Sequence, residues 1–323
     1  MVIGDWLLVR VLFFQTVHPA DDDRVYYHQR VSLEQAGHSC AFACSLDDVH
    51  DRPNVVICDT PVAVWRIRKR FGRKVRVLFD ITEFYPSKKN LRTIHPIFRP
   101  LKYCVLKLAN LWAGCSADGF LFGEYDKAVL FRRWFSRKPY MMLPYYPSLR
   151  YIHPTAPRML DKEVRLFYAG PQTAEKGYKR VQQIAQECQA QMPDKKVVLT
   201  TLYNVSFESF CQVITEQDIF LDLRDADREN TRCLPIKLFY YLAAGRPVIY
   251  SDLKAIRRAV PEITDDSLFV PSEIQTIVRR IQELVQQPKV YQSICERNRQ
   301  LASTRFNWET NQAEFIEFIE KMQ

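Results

Sequence analysis

Apolar and polar positions alternate between two periods along this chain. Short runs rich in β-branched and aromatic residues, WLLVRVLFF (6–14), SCAFAC (39–44), NVVICD (54–59), KVRVLFD (74–80), GFLFG (119–123) and PYMMLP (139–144), read as strands of a sheet buried on both faces. Between them, longer stretches with helical spacing predict helices over 24–37, near 61–71, about 96–113 and about 124–135. Strand and helix alternating at this interval imply a parallel sheet with right-handed crossovers. The segment 144–163, PYYPSLRYIHPTAPRMLDKE, holds four prolines and reads as a linker. Beyond it the alternation restarts, with strands at 164–170, 196–200, 218–223 and 247–251 and helices at 178–191, 206–213, 235–244, 272–286 and 288–304. The last segment, NWETNQAEFIEFIEKM (307–322), puts Phe315, Ile316 and Ile319 on one face and predicts a docking helix.

The 323 residues exceed what one core usually supports, so two domains are expected, 1–155 and 156–306, followed by the helix 307–323. With 47% hydrophobic and 26% charged residues the composition is globular. No apolar run reaches the roughly 18 to 20 residues that span a bilayer. The first run is broken by Arg10 and lacks a basic leader and a small-residue cleavage site, so it reads as a strand and not a signal peptide. Nine cysteines without paired spacing suggest buried reduced thiols in a cytoplasmic protein, and no metal set. Charge is uneven: residues 1–160 carry a balance of +10 and residues 161–323 a balance of −1. The basic half mixes cations with aromatics, as in WRIRKRFGRKVR (65–76), which suits an anionic membrane surface. Nucleic acid is the rival polyanion, ranked last because no nucleic-acid module accompanies the charge.

The stretch ENTRCLPIKLFYYLAAGRPVIYSD (229–252) reads as an acidic loop, a helix opening at Pro235, a stop at Gly245 and a buried strand. The amides at such a helix start favour an anion. Lys237 and Tyr240 are three residues apart and share a face. In YAGPQTAEKGYKR (168–180), a strand ends at Gly170, and Lys176-Gly177 precedes a helix, placing an ammonium at the carboxyl edge of the second sheet, where ligands gather. In the first half, DITEFYP (80–86) follows a strand and offers Asp80 and Glu83. CDTP (58–61) adds Asp59, and TVHPADDDR (16–24) offers His18, Asp23 as a helix cap, and Arg24, which either reaches the ligand side or pairs with that aspartate.

These segments together resemble the nucleotide-sugar-dependent glycosyltransferases of the two-domain GT-B type, especially the retaining family 4 (group 1) enzymes. The carrying motifs there are P-x-K-L-F-E-Y-x-A-A-G-x-P-V-I, G-R-x-x-x-x-K-G, D-x-H-E-x-Y-P and an S-x-H-P opening. The resemblance implies two Rossmann-like domains with parallel sheets facing a cleft, an acceptor-side first domain, a donor-binding second domain and a terminal helix crossing back to the first. It implies donor contacts from Gly170, Lys176, Gly177, Glu229, Leu234, Pro235, Lys237 and Tyr240, acceptor-side contacts from His18, Asp23 and Arg24, and chemistry from Glu83 and Asp80. Three positions depart from the family: Tyr240 stands for the ribose-binding glutamate, Pro171 for the diphosphate arginine and Thr82 for the histidine beside the reacting sugar. Thr82 does not titrate near neutral pH. The implied activity is metal-independent, retaining transfer of a sugar from a nucleotide-diphosphate donor to a glycan or lipid-linked glycan acceptor in cell-surface polysaccharide synthesis. No cofactor is implied, and the implied location is cytoplasmic or peripheral on the inner membrane face. A non-catalytic scaffold or glycan-binding partner of the same fold is the alternative.

Overall fold

The computed structural model describes residues 8–16, 22–82, 86, 88–173, 177–225, 230–264, 269–270 and 273–323. The chain divides into two compact units, Met1–Tyr145 with Asn311–Gln323, and Tyr146–Thr310.

The first unit runs β1 (Arg10–Phe14), a π-wound turn (Asp23–Arg30) leading into α1 (Val31–Gln35), β2 (Ser39–Ala43), β3 (Val55–Cys58), α2 (Pro61–Phe71), β4 (Arg76–Ile81), α3 (Lys88–Arg92), α4 (Arg99–Ser116), β5 (Gly119–Phe122), α5 (Tyr125–Trp134) and β6 (Tyr140–Met142). Its six strands lie in the order β2-β1-β3-β4-β5-β6, all parallel. Leu12 sits opposite Ala41 on one side and Val56 on the other. β3 has every residue buried, as a central parallel strand must. Thr60 caps α2 through its side chain on the Ala63 N–H and Pro61 fills the first turn, so the helix start was written in the sequence.

The second unit holds β7 (Glu163–Ala169), α6 (Tyr178–Gln191), β8 (Lys196–Leu202), α7 (Phe207–Thr215), β9 (Ile219–Asp222), α8 (Ile236–Ala243), β10 (Val248–Ser251), α9 (Lys254–Ala259), α10 (Pro261–Thr264), β11 (Phe269–Val270), α11 (Ile274–Gln286) and α12 (Pro288–Thr304), ordered β11-β10-β9-β7-β8. Successive β7 side chains feed different cores: Leu166 and Tyr168 face α6 and α11, while Phe167 faces α8. The chain closes with α13 (Glu309–Glu320), whose Phe315 and Ile319 are fully buried.

The boundary differs from the 155/156 expected of the linker: residues 146–155 group with the second unit. Tyr146 packs edge-on against Phe239 and Phe306 at 4.7 and 5.5 Å, and the buried Arg246 guanidinium donates to the Thr155 side chain at 2.9 Å. Proline content marks where regular structure stops, which is not where packing changes hands. Residues 311–323 group with the first unit, where Glu320 meets His38 at 3.2 Å. The nine cysteines are free thiols, and Cys44, Cys104 and Cys115 are exposed, so the expectation of buried thiols is corrected for these three.

Candidate functional site

The expected site residues His18, Glu83, Lys176 and Glu229 lie outside the described residues. Asp80 lies near the end of β4 and Gly170 just past β7, and the others lie on the turns and helices that follow strands.

In the second unit, β7 ends at Ala169, whose carbonyl accepts from the Lys237 ammonium at 2.6 Å. Gly170 follows, and a Cβ there would stand 3.5 Å from the same nitrogen. Gly170 and Lys237, 67 residues apart in sequence, therefore meet at the strand end. The Gly170 amide is used by the Leu202 carbonyl at 2.9 Å, so the glycine contributes close approach and not a donor. Gly177 heads α6 in the left-handed conformation, φ +77°, and a Cβ there would lie 1.9 Å from the Leu223 carbonyl oxygen. Only glycine lets the β7–α6 loop press on the end of β9.

That strand end carries a cation that sequence reasoning missed. Arg224 binds Asp222 through Nε at 3.0 Å, and its backbone N–H donates to the Ser251 hydroxyl, at the end of β10, at 2.9 Å. Burial works to lower the Arg224 pKa, but the Asp222 carboxylate outweighs it and the net shift is upward. Arg180 of α6 reaches Asp225 at 3.0 Å. The signal was present as an arginine two residues past the strand in DIFLDLRD, but charge after a strand has no family spacing to single it out.

Pro235 stands at the cap position of α8, one residue before the first helical turn in which it was expected, with Ile236 and Lys237 at the head of the helix. Leu234 packs on the apolar core. Tyr240 corrects the reading that it shares an open face with Lys237: it is 2% exposed, and its ring sits edge-on to Phe207 and Phe210 at 6.1 and 5.4 Å. Helical spacing groups the two correctly, but α7 covers the later turn. Gly245 ends the helix at φ +67°, as the sequence predicts.

In the first unit, Arg24 reaches Asp80 at the end of β4 at 2.5 Å, both side chains being buried, and its guanidinium lies 4.5 Å from the centre of the Tyr145 ring. The cap is Asp22, which accepts from the Val25 N–H at 3.3 Å, one residue earlier than expected. Beside this pair, the buried Lys127 ammonium binds Glu124 at 3.4 Å and donates to the Thr82 carbonyl. Burial pushes the Tyr145 phenol well up, with Arg24 pulling the other way. The same burial holds the His28 imidazole down at about 3. Asp59 acts as a loop clamp, accepting from the Thr16 N–H and hydroxyl at 3.0 and 3.1 Å. Among the described residues no group of three or more His, Cys, Asp or Glu side chains is placed to hold a metal ion.

No protein-family model matches the chain, and no curated protein matches its sequence. Solved structures do match. A sucrose-phosphate synthase from Thermosynechococcus elongatus superposes with a TM-score of 0.68 at 12% identity, over 98% of this chain and 99% of that one. Two parallel-sheet units joined in this order over the whole length decide the architecture. The fold is GT-B. HepE from Anabaena, solved with UDP-glucose, shares the GT-B fold at TM-score 0.63 and 12% identity, over 97% of this chain and 100% of its own. An α-glucosyltransferase solved with UDP and a 13-mer DNA matches at TM-score 0.60 and 10% identity, over 97% and 99% of the two chains.

Proposed function

We propose that this chain transfers a sugar from a nucleotide-diphosphate donor to a glycan or lipid-linked glycan acceptor in cell-surface polysaccharide synthesis. The observation that carries the reading is the meeting of Gly170 and Lys237 at the end of β7, with Gly177 against the end of the neighbouring β9, on a fold whose solved examples include one with UDP-glucose and one with UDP. Ligands of open α/β sheets bind at the carboxyl ends of strands.

In this reading the diphosphate lies over Gly170, with the Lys237 ammonium and the head of α8 taking up its charge. Lys176 adds a second ammonium from the β7–α6 loop. Arg224 substitutes for the arginine that Pro171 replaces: its guanidinium starts on Asp222 and swings to the phosphate. Neutralising the departing diphosphate this way needs no metal ion, and stabilising developing charge is usually the largest catalytic contribution. The reaction then retains configuration through an oxocarbenium-like state on one sugar face, with the leaving phosphate taking the acceptor proton. Glu83, three residues past Asp80, is the acid assigned to the acceptor, with His18 and Asp23 on the same side. Asp80 is a positioning residue, because its charge is already committed to Arg24. Glu229 is assigned to the donor sugar.

One observation favours a second reading, a non-catalytic scaffold or glycan-binding partner: Tyr240 is packed away where a ribose-binding carboxylate is the family rule. Incubation with a panel of UDP- and GDP-sugars and glycan acceptors separates the two. Transfer or donor hydrolysis is expected; no turnover of any donor, together with intact glycan binding, establishes the scaffold.

A further inference from the structure

Helix α4 is built inside out. Of its 18 residues only Ala113 and Gly114 are buried, while Leu101, Val105, Leu108 and Trp112 are 65%, 55%, 66% and 42% exposed. At 100° per residue these four, with Cys104 and Cys115, form one stripe about 100° wide along a helix about 27 Å long. A soluble helix of this pattern would turn that stripe inward. Here the inward face is the smaller one, with Leu106, Ala109 and Ala113.

The stripe is continuous with its neighbours. β3, β4, β5 and β6 are consecutive parallel neighbours, so right-handed crossovers place α2, α4 and α5 on the same side of the sheet. α2 packs beside α4, and the turn after α5 is tied to the end of α4 by the Lys138 ammonium on the Gly114 and Cys115 carbonyls at 2.7 and 2.6 Å. On α2, Val62 and Trp65 are 53% and 49% exposed; on α5, Leu130 and Trp134 are 51% and 66% exposed. Exposed Arg66, Lys69, Lys107, Arg132 and Arg133 are set among them. Lys69 lies 5.3 Å over the Trp65 ring. Neither α2 nor α4 contains an acidic residue.

We propose that the outer face of α2, α4 and α5 docks on an anionic lipid bilayer, with the α4 stripe entering the headgroup region and the surrounding lysines and arginines binding lipid phosphates. Apolar area interleaved with cations and tryptophan is what an interfacial surface requires. A second copy of the chain is disfavoured, since the α2–α4 face would oppose cations to cations with no carboxylate to pair them. No described helix is long and apolar enough to cross a membrane, so the contact is in the plane of the interface.

The surface is independent of the donor-site reading, and its test needs no catalysis. Wild-type protein is sedimented with vesicles of phosphatidylcholine alone or with about one third phosphatidylglycerol. Recovery with the anionic vesicles, and little with the neutral ones, is expected. The double substitution L108S/W112S, at exposed positions, is expected to lower the partition coefficient by about tenfold or more with an unchanged melting temperature. Lys107→Glu provides a second variant should the first fold poorly, and is expected to weaken binding more at low salt than at high salt. Equal recovery with both vesicle types, or variants that bind as wild type, would overturn the proposal. So would a vesicle-free dimer that L108S/W112S converts to monomer, which would assign the face to a second copy.

Discussion

Gly177 is tightly constrained where α6 begins, against the end of β9. Its φ of +77° and the 1.9 Å separation from the Leu223 carbonyl leave no room for a methyl group. Gly177→Ala is expected to cost more than about 2 kcal/mol, read as a lowered urea midpoint, because both strain and clash must be relieved. His28 contributes a pH dependence. Held at about 3 in the folded protein against 6.5 when exposed, it stays neutral in the fold while the unfolded chain takes up a proton. Stability is therefore full above about pH 6.5 and falls as pH drops toward 3, by at most about 1.4 kcal/mol per pH unit. Urea melts at neutral and mildly acidic pH should show this loss in the wild type and a flatter profile in His28→Gln. Gly177 was legible in sequence as Lys-Gly before a helix. The burial of His28 was not, since it depends on which side of a π-wound turn meets the sheet.

Among elements, helices with a written start and stop were read most closely: α2, with its Thr60 cap and first-turn proline, runs over 61–71 as predicted, and α6 over 178–191. The helix after β1 was misread in detail, because its first eight residues are π-wound and capped by Asp22. That winding turns Arg24 inward to Asp80, a partner 56 residues away that no local spacing reveals. Asp80→Asn is expected to destabilise by about 3 to 5 kcal/mol in chemical melts, since it strands a buried guanidinium. The companion Arg24→Met/Asp80→Leu is expected to recover much of that loss. A pair whose removal as a unit is as costly as the single change would not be an ion pair held by burial. The α4 stripe was likewise unreadable as exposed: helical spacing gives an apolar face, but not what faces it.

At the scale of the molecule, the doubled strand–helix alternation and the two parallel sheets were legible because each element's period and turn chemistry agree. The boundary was not, because residues 146–155 are fastened by Phe239, Phe306 and Arg246, all distant in sequence. For the second unit, the proposed function requires that the sheet edge at Gly170, Gly177 and Lys237 bind a nucleotide-diphosphate sugar. Calorimetric titration of UDP- and GDP-sugars into the wild type, Lys237→Ala and Lys176→Ala tests it most directly. One nucleotide sugar is expected to bind the wild type saturably, and each lysine variant to bind it about tenfold more weakly or worse. Absence of binding heat with every nucleotide sugar, or titration curves for both variants that overlie the wild type, would contradict the account.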